Sequence, residues 1–249
     1  MNKYNEIIKL ITTAKKITVL TGAGISTESG LPDFRSKDGF WTKNKPIQFQ
    51  DYLDNEEQQR LSWGRNIELH KILKEINPNI GHTFVEKIIN LKNKENFLIT
   101  QNIDGLHQRS GVPKDKIIEI HGNATEARCL NCGEKANILD FHAAIKTNNP
   151  LPKCSNCDGI VKVATISFGQ PMNENDMLQA SNISSQCDLM IVMGSSLSVM
   201  PAGQIPNLAI KSGAKIVILN REETIYDAMA NIVINDELKI ICKELIKLI

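Results

Sequence analysis

The chain has 249 residues, a formal net charge of +1 and a hydrophobic fraction of 41%. That length fits one large domain, or a large domain with a small insert, and the apolar fraction supports an ordinary buried core. A charge this close to zero argues against a general attraction to nucleic acid or to membranes, so we expect neither as a partner. No apolar run approaches the roughly 18 residues of a membrane span, and segment 1–16 lacks a signal-peptide core. We therefore expect a cytoplasmic protein.

Apolar periodicity predicts an α/β chain in which strands and helices alternate. The predicted helices cover 3–15, 56–76, 82–92, 138–145 and 237–249, and the predicted strands cover 17–21, 95–100, 117–120, 160–166, 189–193, 215–219 and 232–234. Such alternation favours a parallel sheet with helices on both faces. The composition changes over 124–160, where paired cysteines, Gly, Pro and Asn predominate.

Polar or glycine-rich turns follow five of the predicted strands. These turns are Thr21-Gly22, Gln101-Asn102, His121-Gly122, Gly194-Ser195 and Asn220-Arg221. In open α/β sheets the carboxyl ends of the strands share one edge, and ligands bind there. We therefore expect the five turns to form a single site.

The first of these turns opens the segment GAGISTESGLPDFRS at 22–36. A Gly-x-Gly turn after a buried strand is typical of dinucleotide binding, although it also occurs as a plain tight turn. Thr27 stands where a third Gly or Ala is expected, and Gly30-Leu31-Pro32 interrupts the backbone before Asp33-Phe34-Arg35. The segment indicates nucleotide binding with a chemistry other than hydride transfer.

His121 ends a predicted strand, and a histidine can exchange a proton near neutral pH. It is either a general base or a structural residue, and His107 has the same two interpretations. Ser26 lies in the glycine loop without a Gly-x-Ser-x-Gly elbow, so the sequence offers no convincing protein nucleophile. If the protein is an enzyme, we expect the nucleophile to come from the substrate. Three further histidines have helical contexts and are expected at the surface or in packing: His70, His82 and His142.

Four of the six cysteines form two Cys-x-x-Cys pairs, namely Cys129, Cys132, Cys154 and Cys157. Their spacing, C-x2-C-x21-C-x2-C, predicts a zinc site, with an iron–sulfur cluster or a redox dithiol as alternatives. Four thiolates leave no open position on the metal, so we expect the zinc to be structural, in a small module without a core of its own. Cys187 and Cys242 are expected to pack in the core.

Together these segments resemble the sirtuin family of NAD-dependent protein lysine deacylases over essentially the whole chain. The motifs that carry the resemblance are GAGISTESGLPDFRS (22–36), TQNIDGLH (100–107), HG (121–122), the four paired cysteines, FG (168–169), GSSLSVMPA (194–202) and LNRE (219–222). The resemblance implies an α/β fold: a Rossmann-like parallel sheet domain with an inserted small zinc-ribbon module and a helical cofactor-loop subdomain. The implied divisions are 1–35, 80–123 and 165–249 for the NAD-binding domain, 36–79 for the helical part with the cofactor loop, and 124–164 for the zinc module.

The resemblance also implies how NAD is held as a co-substrate. The diphosphate would lie on Gly22, Ala23, Gly24 and Ser26. A mobile cofactor loop would carry Asp33, Phe34 and Arg35, with Phe34 shielding the reacting ribose carbon. The nicotinamide and its ribose would contact Gln101, Asn102, Ile103 and Asp104. The adenosine side would be lined by Gly194, Ser195, Ser196, Asn220 and Arg221.

The implied catalytic residues are His121, Asn102 and Asp104. Asn102 and Asp104 would orient nicotinamide for departure, and the acyl oxygen of the substrate would attack the ribose carbon. His121 would act as general base through the ribose hydroxyls, so that the products are free lysine, nicotinamide and O-acyl-ADP-ribose. The acyl-lysine peptide would add as a strand between 165–169 and 198–200, against Ile166, Phe168, Gly169, Ser198 and Val199.

The chain departs from the family pattern beside the peptide groove. Lys162-Val163 replaces a common Arg-Pro, and Gln170 replaces the Glu of Phe-Gly-Glu, which leaves the substrate preference open. No Tyr-x-x-Arg occurs between residues 39 and 80, so uncharged acyl groups are expected over malonyl or succinyl. Two other hypotheses stay open at this point: a mono-ADP-ribosyltransferase or NAD hydrolase on the same scaffold, and a non-enzymatic zinc-ribbon binding module.

Overall fold

The computed structural model describes residues 2–32 and 45–249, and nine strands and nine α-helices lie within these ranges. The strands are β1 (Lys16–Thr21), β2 (Glu95–Thr100), β3 (Ile117–Glu119), β4 (Gly122–Cys129), β5 (Lys135–Ala136), β6 (Val161–Thr165), β7 (Leu189–Met193), β8 (Lys215–Leu219) and β9 (Ile232–Ile234). The helices are α1 (Lys3–Thr13), α2 (Phe49–Asp54), α3 (Glu56–Glu75), α4 (Ile80–Ile89), α5 (Leu106–Arg109), α6 (Ile138–Thr147), α7 (Glu174–Gln186), α8 (Ile205–Lys211) and α9 (Leu238–Ile246).

Six strands form a parallel sheet in the order β3-β2-β1-β7-β8-β9. Counted along this sheet, the order is 3-2-1-4-5-6, the arrangement of doubly wound dinucleotide-binding folds. The order reverses between β1 and β7, where Thr21 pairs with Met193. A ligand site is therefore expected outside the carboxyl ends of these two strands.

Alternating side chains of the strands supply two separate cores, one on each face of the sheet. Ile17 and Val19 of β1 point into a core completed by α1, α4 and α9. Leu20 of the same strand points into the opposite core, which α7 and α8 cover. The period of two is the ordinary geometry of a strand, and burial on both faces explains why these strands are apolar throughout.

A second, antiparallel sheet has the order β5-β4-β6 and carries the paired cysteines near its end. Contrary to the expectation for the zinc module, it packs a small apolar core, which depends on Trp63 of α3. The Trp63 indole is fully buried and stacks on Phe141 of α6, with ring centroids 4.3 Å apart. Helix α3 and the cysteine-bearing sheet thus share one apolar cluster. The division of the chain into three domain segments stays a prediction.

The predicted strands are all present, but the sequence patterns did not predict β4, β5 and several helices. The sequence of β4 shows no clear strand pattern, because its exposed residues Thr125 and Arg128 are three positions apart and break the period of two. Helix α7 buries only the small side chains of Ala180 and Ser184, so it has no apolar stripe. The predicted strand 160–166 exists as β6, in the antiparallel sheet. None of the helices in the described ranges is long and apolar enough to cross a membrane.

Candidate active site

Three glycines bring the carboxyl ends of β1 and β7 into backbone contact. A Cβ atom on Gly24 would lie 2.8 Å from the Gly194 oxygen, and one on Gly22 would lie 2.7 Å from Ser195 Cβ. Gly194 has φ +62°, and a Cβ there would approach Ile25 N to 2.5 Å. The glycines are therefore needed for the contact between the two loops. Through that contact, the Gly22–Ser26 backbone reaches the point between β1 and β7 where the strand order reverses, the switch point of the sheet.

The loop after β1 forms two single 3-10 turns, Ala23–Ile25 and Thr27–Ser29. This agrees with the sequence, in which no helix follows the glycine pair at once. The Ser26 hydroxyl is buried and donates to Asp104 Oδ2 over 2.7 Å. The Asn102 amide donates to Ser26 Oγ over 3.2 Å. Ser26, Asn102 and Asp104 are thus one hydrogen-bonded cluster built from the ends of β1 and β2.

Burial raises the pKa of the Asp104 carboxyl, while hydrogen bonds from the Leu106 main-chain N–H and the Ser26 hydroxyl oppose the shift. Asn102 Oδ1 is buried and has no hydrogen-bond partner among the described residues. A buried amide oxygen without a partner is costly, and it marks a position where a ligand N–H fits. The cluster therefore suits a polar ligand such as a carboxamide.

Gln101 connects this cluster with β7 and with His121. Its side-chain amide donates to Ser195 Oγ over 3.1 Å. Its main-chain oxygen lies 3.0 Å from His121 Nδ1. Because a carbonyl oxygen only accepts, Nδ1 carries a hydrogen, and a neutral His121 then holds its lone pair on Nε2. That is the tautomer a general base acting through Nε2 requires.

Gly122 explains why His121 can lie at this point. It has φ +74°, and a Cβ atom there would lie 1.9 Å from the Ala164 oxygen, so only glycine fits. The chain turns here from the parallel sheet into β4. The Ile166 main-chain N–H donates to the His121 oxygen over 2.8 Å. His121 is thereby tied to the start of the segment predicted to bind the peptide.

The predicted adenosine side lies at the ends of β7 and β8. Asn220 is buried, and its amide donates to the Glu222 oxygen over 2.7 Å. Arg221 is exposed, and the Ser196 hydroxyl lies 2.8 Å from that of Ser198. These residues lie at the same edge of the sheet as the Gly22–Ser26 loop, and their place in one site with it stays a prediction.

The predicted peptide segment follows β6. Phe168 is exposed, and its main-chain oxygen accepts the Phe49 N–H over 2.8 Å. Gln170 Oε1 accepts the Ser167 N–H over 3.0 Å, so the amide at this position closes the turn through Gly169, which has φ +79°. The replacement of the family's Glu by Gln170 thus leaves an acceptor in place.

Lys162, the second departure from the family pattern, is buried under α2. Its ammonium donates to the Thr165 oxygen over 2.5 Å and lies 5.9 Å from the centroid of the Tyr52 ring. Burial lowers the pKa of Lys162 to about 8. The side chain therefore anchors the backbone at the end of β6 from inside the protein and does not reach the surface as a free charge.

Asp33, Phe34 and Arg35 lie outside the described residues, so the predicted cofactor loop stays a prediction. Thr21 and Thr100 end β1 and β2, and no role for their hydroxyl groups was predicted from the sequence. Their hydroxyls are 2.8 Å apart, and Thr100 Oγ1 accepts the Asn102 main-chain N–H over 3.1 Å. The available signal was a threonine at the last position of each of two adjacent strands.

The four paired cysteines form the predicted metal centre. Their sulfur atoms all lie within 4.8 Å of one another, with Cys129 to Cys157 at 3.5 Å and Cys132 to Cys154 at 3.6 Å. Zn–S bonds of about 2.3 Å in a tetrahedron place sulfurs about 3.8 Å apart. The four thiolates therefore fit one structural zinc ion. Cys187 and Cys242 are buried in the two main cores, as predicted.

Comparisons of the whole chain agree with this geometry. The Sir2 family profile matches residues 22–201. The NAD-dependent protein deacetylase 1 of Bradyrhizobium diazoefficiens is 44% identical over 229 residues, which are 92% of this chain and 89% of that protein. The NAD-dependent protein deacetylase of Thermodesulfovibrio yellowstonii is 34% identical over 247 residues, 99% of this chain and 95% of the relative.

Solved structures match over nearly the full length. Sir2Tm bound to a propionylated peptide superposes with a TM-score of 0.84 at 31% identity and covers 99% of this chain and 98% of its own. A Sir2 with a p53 peptide and NAD+ gives a TM-score of 0.78 at 31% identity, covering 97% and 96%. With this fold, these strand-end motifs and this degree of identity, the chain belongs to the Sir2 family, the sirtuins.

Proposed function

We propose that this protein removes acetyl and other uncharged acyl groups from protein lysine side chains at the expense of NAD, and releases nicotinamide and O-acyl-ADP-ribose. The observation that carries the proposal is the buried cluster of Ser26, Asn102 and Asp104, one residue away from the main-chain oxygen that holds His121. Relatives described as NAD-dependent protein deacetylases support the same activity.

The residues at the switch point fit NAD. The unpartnered Asn102 Oδ1 offers an acceptor to a carboxamide N–H, and the Asp104 carboxylate lies beside it. In the two loops at 22–26 and 194–195, most main-chain N–H groups are bonded within the protein. Among the described residues, those of Ala23 and Ser195 are left as donors for a diphosphate. NAD, when bound, supplies the glycosidic bond whose cleavage releases nicotinamide. We assign the nicotinamide end to Gln101, Asn102, Ile103 and Asp104, and the adenosine end to Gly194, Ser195, Ser196, Asn220 and Arg221.

His121 is assigned as the general base. The Gln101 oxygen holds Nδ1–H, so the ring presents the basic Nε2 without having to change tautomer. A hydroxyl proton taken at Nε2 leaves the ring as an imidazolium, which the same Nδ1–H bond to a carbonyl stabilises. The residue thus has the orientation and the proton acceptor that the chemistry of a ribose hydroxyl requires.

A nucleophile from the substrate agrees with the state of the candidate protein nucleophiles. Ser26 is only 2% exposed, and its oxygen is engaged by Asp104 and Asn102. Within the described chain, Cys187 and Cys242 are buried in the two main cores, and the other four cysteines surround the metal position. Positioning of the reacting groups is therefore the main contribution of the protein to the rate.

For the substrate, we assign an extended acyl-lysine peptide to the groove between 165–169 and 198–200. Ile166, Phe168 and Gly169 would line one side, and Ser198 and Val199 the other. None of the six cysteines, all within the described ranges, forms a disulfide, as expected in a reducing compartment, and we propose the cytoplasm as the location. Nucleic acid is not among the proposed partners.

The test is a panel of lysine peptides that carry acetyl, propionyl, longer acyl or succinyl groups, each assayed with and without NAD. We expect turnover of the acetyl peptide only with NAD, formation of nicotinamide and O-acetyl-ADP-ribose, and little turnover of the succinyl peptide. Transfer of label from NAD onto protein without deacylation would contradict the proposal and favour a mono-ADP-ribosyltransferase.

A further inference from the structure

Two histidines that have no role in the proposed chemistry lie buried beneath the site. His82 of α4 is 0% exposed and His107 of α5 is 1% exposed, and their ring centroids are 4.9 Å apart. In each ring, one nitrogen is hydrogen-bonded to another residue. The other nitrogens, His82 Nε2 and His107 Nδ1, have no hydrogen-bond partner within the part of the chain that the structure describes.

The bonded nitrogen of His82 defines its tautomer. The Asn79 main-chain N–H donates to His82 Nδ1 over 3.2 Å, as part of the capping box of α4. A neutral imidazole that accepts at Nδ1 carries its hydrogen on Nε2. His82 therefore directs an N–H donor from Nε2 into the buried interior.

His107 has the complementary arrangement. Its Nε2 lies 2.9 Å from Thr21 Oγ1, and the Thr21 hydroxyl donates to Thr100 Oγ1. Since the Thr21 hydrogen is used in that bond, His107 must donate from Nε2, and its lone pair lies on Nδ1. The N–H donor at His82 Nε2 and the lone pair at His107 Nδ1 are therefore complementary, and neither is bonded to a described residue. Burial lowers the pKa of His82 to about 4 and that of His107 well below its ordinary value, so both rings are neutral at pH 7.

Each end of this pair leads to a part of the site. On one end, Thr100 Oγ1 accepts the main-chain N–H of Asn102 over 3.1 Å. On the other end, the Asn79 side-chain amide donates to the Ile25 oxygen over 2.7 Å and to Ser29 Oγ over 2.9 Å. Hydrogen bonds therefore connect the loop after β1 with His82, and His107 with the backbone of Asn102. Between these two sets of hydrogen bonds, the two rings are in contact.

We infer that His82 and His107 form a positioning unit that holds the Asn102 backbone in register with the 25–29 loop and thereby sets how tightly nicotinamide is bound and how readily it is released. The inference rests on the proposed function, because that function assigns Asn102 to nicotinamide. Neither histidine is proposed to contact NAD or the acyl-lysine peptide. Their effect passes through Thr21 and Thr100.

The first test uses His107→Leu and His107→Gln, with His142→Leu as the matched control. His142 is another buried histidine, 6% exposed, whose Nε2 lies 2.7 Å from Asn66 Oδ1 in the cluster around Trp63. We expect His107→Leu to raise the inhibition constant of nicotinamide about tenfold, the size of one lost hydrogen bond, with the KM for the acetyl peptide unchanged. His107→Gln, which keeps a donor toward Thr21, should recover most of this loss, and His142→Leu should leave the constant as in the wild type.

A second test needs no catalysis. Two-bond proton–nitrogen NMR spectra of the histidine rings at pH 7 should show hydrogen on Nε2 in both His82 and His107, with neither ring charged. Hydrogen on Nδ1 of His107, or a charged ring, would overturn the inference. So would equal effects of His107→Leu and His142→Leu on nicotinamide inhibition. An inactive wild-type protein would instead contradict the proposed function, and the tautomers would still decide whether the two rings are matched.

Discussion

His121 donates its Nδ1 hydrogen to the main-chain oxygen of Gln101 over 3.0 Å, and Gln101 is followed directly by Asn102. One short segment therefore fixes the tautomer of the proposed general base and carries the proposed nicotinamide contact. Both functions come from one backbone turn at the end of β2. A displacement of this turn is expected to disturb base and pocket together.

His121→Asn separates the orienting role of this histidine from its role as base. The Asn amide can retain the donor toward the Gln101 oxygen, but it has no counterpart of Nε2. We expect deacylation to fall about 100-fold or more while the fold and NAD binding persist, since general base catalysis contributes about that factor. Steady-state rates and calorimetric NAD titrations measure the two effects. Near wild-type turnover would show that His121 is not the base.

Gly24→Ala tests the loop contact at the switch point, with Gly64→Ala as its control. The new Cβ at position 24 would lie 2.8 Å from the Gly194 oxygen, whereas a Cβ at position 64 on α3 meets nothing within 4 Å. We expect Gly24→Ala to lower the free energy of unfolding by about 1–3 kcal/mol and to weaken NAD binding. Gly64→Ala should raise the free energy of unfolding by about 0.5–1 kcal/mol. Urea denaturation compares the two variants, and equal effects would show that the contact of Gly24 with Gly194 does not require a glycine.

Lys162→Met tests the buried ammonium through the pH dependence of stability. The pKa of Lys162 is about 8 in the folded protein against 10.5 for an ordinary lysine, so the unfolded chain binds more protons between these values. The wild type should therefore gain up to about 3 kcal/mol of unfolding free energy relative to Lys162→Met as the pH rises from 8 to 10.5. The gain should be absent below pH 7.

The control for this experiment is Lys135→Met. Lys135 lies on the same small sheet but is exposed, with its ammonium 3.4 Å from Glu126. Its difference from the wild type is expected to stay nearly constant from pH 8 to 10.5. If the two variants behave alike over that range, the charge of Lys162 is not penalised by burial.

The cysteine cluster predicts one zinc ion per chain and a stability that depends on it. We expect Cys154→Ser, or treatment with a strong chelator, to release the metal and lower the melting temperature by about 10 °C or more, because the ligand set folds together with the ion. Cys187→Ala, outside the cluster, should keep a full complement of zinc. Atomic absorption and thermal unfolding provide the measurements. A metal-free protein of unchanged stability would contradict a structural role.

Much of the site was predictable because its chemistry is concentrated at strand ends. The parallel strands are apolar on both faces, and the turns that follow them, such as Gly22–Ser26 and Gln101–Asp104, stand out against that background. The cysteine spacing was equally informative, since few other functions need four thiols in that pattern.

The remaining features depend on tertiary contacts that a linear pattern does not encode. Gly22 and Gly24 were expected to approach a diphosphate and Gly194 to line the adenosine side. The structure shows that all three glycines permit the two loops to touch. The role of Trp63 in the zinc module joins segments far apart in the chain. The sequence predicted a helical packing or surface position for His82 and left His107 as either a general base or a structural residue. It could not predict their pairing, because that depends on how α4 and α5 pack beneath the sheet edge.

The most direct test of the account is the stoichiometry of a complete reaction with an acetyl-lysine peptide and NAD. The wild-type protein should release one nicotinamide and form one O-acetyl-ADP-ribose for each acetyl group removed, with no free acetate before that ester hydrolyses. Acetyl removal without NAD, or nicotinamide release that continues at the same rate without the peptide, would contradict it.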